Sequence, residues 1–131
     1  MGDLKKITNI LSSFLEKNGM WVLALNNSKS KKYPADILAI NNKYSDSVLY
    51  AFVCIDVDDQ IFDLKNANVF FEKSLGNLND HGVSNTFFAF QFEDKIYFAK
   101  SQDIFCKKRN GEHTLRLIEK MEYITIENVE E

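Results

Sequence analysis

Apolar residues recur at helical spacing near the start of the chain. Leu4, Ile7, Leu11, Phe14 and Leu15 share one face of a helix predicted over residues 4–17. Asn18-Gly19 stops it, because glycine takes the left-handed conformation at little cost. The continuous run Met20 to Leu25 predicts a buried strand, residues 26–34 a polar loop ended by Pro34, and Ala35 to Ile40 a second strand. After a polar turn over Asn41 to Asp46, both alternating faces of Val48 to Val57 are apolar. That pattern predicts a central strand covered on two sides. Leu64, Ala67, Phe71, Leu75 and Leu78 predict a helix over 62–79, broken at His81-Gly82. Thr86 to Phe92 and Ile96 to Ala99 read as a hairpin turned at Glu93-Asp94-Lys95. Ser101 is placed to cap a short helix through Lys108, stopped at Asn110-Gly111. A second short helix is expected over 115–122, a final strand over Tyr123 to Ile126, and a frayed acidic tail over 127–131. The order α-β-β-β-α-β-β-α defines an α/β domain with a mixed central sheet flanked by helices.

Composition adds bounds. With 131 residues, 45% of them hydrophobic and 27% charged, the chain fits a single domain over 1–131 able to bury its own core. No apolar run is long enough to span a membrane. The start, Met1-Gly2-Asp3-Leu4-Lys5-Lys6, lacks the apolar core of a signal peptide. Cys54 and Cys106 form no Cys-x-x-Cys pattern, so a reducing, cytoplasmic location is expected. The net charge of −3 excludes a uniformly basic nucleic-acid coat. It is nevertheless a cancellation. Residues 1–32 carry six lysines against Asp3 and Glu16, whereas residues 46–63 carry five aspartates and no base.

Three stretches carry a family resemblance. Lys17-Asn18-Gly19-Met20-Trp21-Val22-Leu23, Ala35-Asp36-Ile37-Leu38 and Phe62-Asp63-Leu64-Lys65-Asn66 follow one another around the predicted central strand. In this order the chain resembles the PD-(D/E)xK nucleases of restriction-endonuclease-like fold, and within them the RecU-type Holliday-junction resolvases, over most of residues 8–126. The resemblance implies Mg²⁺-dependent DNA cleavage. One carboxylate comes from the second strand, and another comes from the third strand two residues before a lysine. It also implies dimers.

Asp36 matches the first carboxylate, but the second slot holds Cys54 and the lysine slot holds Asp56. A thiol is a poor ligand for a hard cation, and an aspartate cannot replace an ammonium. The long stalk that RecU-type proteins carry between their first two strands is reduced here to residues 26–34. The resemblance therefore implies a nuclease-fold protein with a degenerate site and no cofactor, binding branched or duplex DNA or a protein partner.

Two alternatives stay open. One is an active Mg²⁺-dependent endonuclease with a rearranged site, in which Asp36, Asp56 and Asp58 hold the ion and Lys65 supplies the ammonium. The other is an acidic inhibitor or adaptor module on a nuclease scaffold. Read plainly, Asp56, Asp58 and Asp59 are a solvated strand end, and Asp63 is a helix cap. Lys29, Lys31 and Lys32 in the first loop, and Lys107, Lys108 and Arg109 late in the chain, are candidates for phosphate contact or for ordinary solubility. Cys54 is expected to be a buried structural thiol. His81 and His113 are expected to be turn and surface residues, and Trp21 and most phenylalanines core.

Overall fold

In a computed structural model of the chain, residues 4–25, 35–41, 48–66, 69–117 and 121–125 are described. The predicted loop over 26–34, most of the turn before the third strand and the tail over 127–131 lie outside them. The amphipathic start winds into α1 (Leu4–Lys17). Its end carries two reversed hydrogen bonds, from Met20 N–H to the Leu15 carbonyl (3.1 Å) and from Gly19 N–H to the Glu16 carbonyl (3.0 Å). This wrap needs a left-handed residue, and Gly19 supplies it at φ 84°. The same pair of bonds closes the helices at Gly82 and Gly111, so all three predicted stops are real.

The strands are β1 (Trp21–Ala24), β2 (Ile37–Asn41), β3 (Val48–Asp56), β4 (Ile61–Asp63), β5 (Asn85–Phe92), β6 (Lys95–Lys100), β7 (Thr114–Arg116) and β8 (Tyr123–Thr125). Six of them form one mixed sheet in the order β1-β2-β3-β5-β6-β8. Only β3 and β5 are parallel, with Cys54 beside Ala89 and Asp56 beside Gln91. A parallel neighbour requires a crossover, and the chain makes it through β4, a single 3₁₀ turn (Leu64–Asn66) and α2 (Val69–Asp80). The last helix, α3, spans Ser101–Arg109.

Alternation along β3 separates two cores. Phe52 and Cys54 pack with Ile7, Ile10, Leu11 and Leu15 of α1. Ala51 and Val53 face the other way, onto Phe62, Leu64, Leu75 and Ile104 beneath α2 and α3. β3 is thus covered on both faces, as its apolar pattern predicts. The phenylalanines of β5 divide in the same manner. Phe88 and Phe90 enter the core on the α2 side, while Phe87 stacks on Phe52 on the α1 side. They leave no surplus aromatic face at β5.

Four expectations fail. β1, expected as a buried strand, is an edge strand with Trp21 and Leu23 exposed. The α-helix expected from residue 62 begins only at Val69, after β4 and the 3₁₀ turn, and 115–117 are not a helix start. Instead β4 and β7 form a separate two-stranded sheet, with Phe62 opposite Leu115. Phe62 and Leu64, like Leu115 and Leu117, are alternate buried residues, so period two governs both segments. The fourth concerns Ser101, which caps nothing. The N-cap position is Lys100, and no side chain bonds the helix end.

The Ser101 hydroxyl is fully buried and makes a short hydrogen bond with Thr86 Oγ1. Thr86 Oγ1 also accepts from Asn79 Nδ2 at 2.9 Å. This network ties α2, β5 and α3 together. Ser101→Ala removes one bond yet leaves Thr86 paired with Asn79, so it should cost about 1 kcal/mol in urea unfolding. No change would show that the contact carries no stability.

Candidate functional site

Chemistry-bearing residues meet at the carboxyl end of β3, where parallel strands of an open α/β sheet present their sites. Asp36 immediately precedes β2 and is held by its backbone on both sides. Its N–H donates to the Phe52 carbonyl (2.9 Å), and its own carbonyl accepts from Leu25 N–H (2.7 Å). Its side chain folds back onto β3, where Oδ2 accepts the Cys54 N–H at 2.8 Å. The carboxylate therefore continues the β2–β3 ladder by one bond.

Cys54 is 4% exposed. Burial pushes its thiol far above the ordinary value, and the charge of Asp36 pushes it further. A hydrogen bond from Thr8 on α1 opposes the rise without cancelling it. The thiol is neutral at any physiological pH. It is neither a thiolate ligand nor an activated nucleophile. Thr8 is the member of this group that sequence reasoning missed. Its only local signal is a hydroxyl next to the apolar stripe of α1, and its contact with Cys54 arises from helix-on-sheet packing.

The other candidate residues are dispersed. Asp56 shares the face of Cys54 by alternation and is half-buried at the strand end. Asp58 and Asp59 are exposed in the bend that follows. Asp59 Oδ1 accepts the Ile61 N–H at 3.3 Å. Asp63 Oδ1 likewise accepts the Lys65 N–H (3.1 Å), and its other oxygen stands 3.6 Å from Lys65 Nζ. Lys65 has an 82% exposed side chain and follows Leu64, which packs in the α2-side core. The Cys54 face, by contrast, looks toward α1. The structure does not bring Lys65 to Asp36.

Among the described residues, no group of three or more histidine, cysteine, aspartate or glutamate side chains could hold a metal ion. The expected convergence of Asp36, Asp56 and Asp58 is therefore not formed. At the β3 end the position of the second ligand does not fit Mg²⁺, a hard cation held by oxygen: it holds a buried neutral thiol. Beside it stand the Asp36 carboxylate, with one oxygen already committed to a backbone N–H, and the half-buried Asp56.

The basic candidates divide as well. Lys29, Lys31 and Lys32 lie outside the described residues. Lys107, Lys108 and Arg109 occupy the last turn of α3, where cations complement the helix dipole. Lys107 also pairs with Glu112 at 3.3 Å. His81 is an exposed turn residue bonded through Nδ1 to the Asn77 carbonyl (2.8 Å). His113 is exposed and uses its backbone carbonyl to hold Leu64 N–H (2.9 Å). No helix among the described residues is long and apolar enough to cross a membrane.

No family model and no curated protein sequence matches this chain. In architecture it is similar to Hjc, a Holliday junction resolvase from the archaeal hyperthermophile Archaeoglobus fulgidus. The TM-score is 0.58 at 17% identity, over 95% of this chain and 87% of that chain. The domain thus has the restriction-endonuclease-like fold, a mixed central sheet flanked by helices.

Proposed function

We propose that this chain is a cytoplasmic RecU-like nuclease-fold protein that binds branched or duplex DNA in recombination, repair or mobile-element biology, and that it has lost the capacity to cut. One observation carries the loss. Cys54 occupies the slot of the second metal-ligating carboxylate, buried as a neutral thiol against Thr8, while Asp36 spends a carboxylate oxygen on the Cys54 backbone. Asp56 in the lysine slot compounds it. Support for DNA as the ligand comes from the fold shared with a Holliday junction resolvase and from the lysine-rich connection over 26–34. A homodimer belongs to the same reading through the RecU resemblance.

The test is incubation of fluorescent four-way junctions and linear duplex with the protein, in Mg²⁺ and separately in Mn²⁺. Retarded but intact DNA is expected. Binding should weaken steeply with salt and fall further in the Lys31→Ala/Lys32→Ala variant, because each lost phosphate contact releases fewer counterions. Reproducible cleavage that disappears in Asp36→Ala would overturn the reading. Absence of binding to any DNA would leave an adaptor for a protein partner.

A further inference from the structure

β6 runs on to Lys100, whereas β8 begins at Tyr123, opposite Tyr97. One step further along, Phe98 N–H donates to the Glu122 carbonyl at 2.9 Å. Past that bond β6 has no strand on this side among the described residues, and a cavity of about 410 Å³ opens beside α3. Lys100, Asp103, Ile104 and Lys107 line it from one helix face. Buried Ile104 and Leu115, with the half-buried rings of Phe87 and Phe98, make its bed apolar. Glu122 borders it from the segment that leads into β8. Small-molecule sites have this make-up, an apolar bed with a few polar groups, and volumes of about 300–1,000 Å³.

The polar groups define what fits. Lys107 is engaged by Glu112 at 3.3 Å. Among the described residues, Lys100, Asp103 and Glu122 form no ion pair. One uncommitted ammonium and two uncommitted carboxylates therefore border the apolar bed. A phosphate chain, which carries one sign only, meets two carboxylates here and is repelled. A neutral hydrocarbon uses none of the three charges. An amino acid with an apolar side chain carries both signs on one carbon and an apolar body beside them. Its carboxylate suits Lys100, its ammonium suits Asp103 and Glu122, and its side chain suits the phenylalanine rings.

We infer that this cavity binds a free apolar amino acid as its zwitterion. It lies at the amino half of β5, away from the end where Asp56 stands beside Gln91, and it rests on no assumption about DNA.

Three compounds separate the charges. L-Phenylalanine carries both, phenethylamine lacks the carboxylate and phenylpropionate lacks the ammonium. Each is titrated into isotope-labelled protein while backbone amide shifts are followed by NMR. L-Phenylalanine should saturate shifts at residues 98–104 and 121–122. It should bind about ten-fold tighter than either analogue, the effect of one charge-assisted hydrogen bond. Lys100→Gln should weaken L-phenylalanine about ten-fold and leave phenethylamine unchanged. The double variant Asp103→Asn/Glu122→Gln should weaken L-phenylalanine and phenethylamine and leave phenylpropionate unchanged. All three residues are exposed, so these changes spare the fold.

An analogue that binds as tightly as L-phenylalanine would overturn the inference, since one of the two charges would then be idle. Charge variants that leave all three affinities unchanged would overturn it as well. No saturable shift at these residues with any of the compounds would remove the site altogether.

Discussion

Raising the pH from about 7.5 to about 10.5 should cost the protein about 2 kcal/mol through Cys54 alone. In the unfolded chain the thiol ionises around its ordinary value of 9.0, whereas burial beside Asp36 keeps it protonated in the fold. Above that pH the unfolded state therefore binds fewer protons than the folded state. Stability must then fall as pH rises, by about 1.4 kcal/mol per pH unit. Urea unfolding across this range separates the contribution from those of lysine and tyrosine by comparison. Cys54→Val should lose the extra alkaline slope. A Cys106→Ser variant should retain it, since Cys106 is exposed.

Iodoacetamide provides a second readout. Cys106 should be modified in the native protein, and Cys54 only through global opening. That makes it slower by about three orders of magnitude or more at ordinary domain stability. A Cys54→Val variant with the wild-type slope, or rapid native labelling of Cys54, would show a thiol able to ionise in place. The strongest reason for regarding the site as inert would then be gone.

Local patterns told most where the physics is local. Asn18-Gly19, His81-Gly82 and Asn110-Gly111 each stop a helix because the terminal wrap needs one left-handed residue, a requirement visible in any short window. The apolar faces of β3 are likewise a property of its own nine residues. β4 and β7 are three residues each, so their alternation spans too few positions to be told from a helical pattern, and each is a strand because the other pairs with it. Ser101 has the right type for a cap, but the helix begins on it with Lys100 in the cap position, and Thr86, fifteen residues earlier, claims its hydroxyl. Trp21 reads as core by composition, yet its strand lies at the sheet edge and its side chain is exposed.

The candidate site shows the same division. The family resemblance picked out Asp36, Cys54 and Asp56 in advance. The use of the Asp36 carboxylate on the Cys54 backbone, and the arrival of Thr8, depend on how β2 and α1 meet β3.

Asp36→Ala should destabilise the protein by about 1–3 kcal/mol, because it strands the buried Cys54 N–H without an acceptor. Asp36→Asn keeps an oxygen in reach of that N–H and should cost clearly less. The sign of the alanine effect bears directly on function. Active sites that gather like charges around an absent ion are commonly strained, and truncating one of their carboxylates often raises stability at the expense of activity. A carboxylate that serves as the last rung of a strand ladder behaves the opposite way.

Urea unfolding of the three proteins at neutral pH gives the comparison, and the alkaline experiment extends it. The negative charge of Asp36 is the lesser cause of the raised Cys54 thiol, and burial the greater. Asp36→Asn should therefore preserve the Cys54-dependent alkaline loss. An Asp36→Ala protein more stable than wild type would instead identify Asp36 as a strained ligand position and favour a site that still takes up a metal. A less stable one means that Asp36 serves the β2–β3 ladder rather than a metal, as the proposed loss of cutting requires.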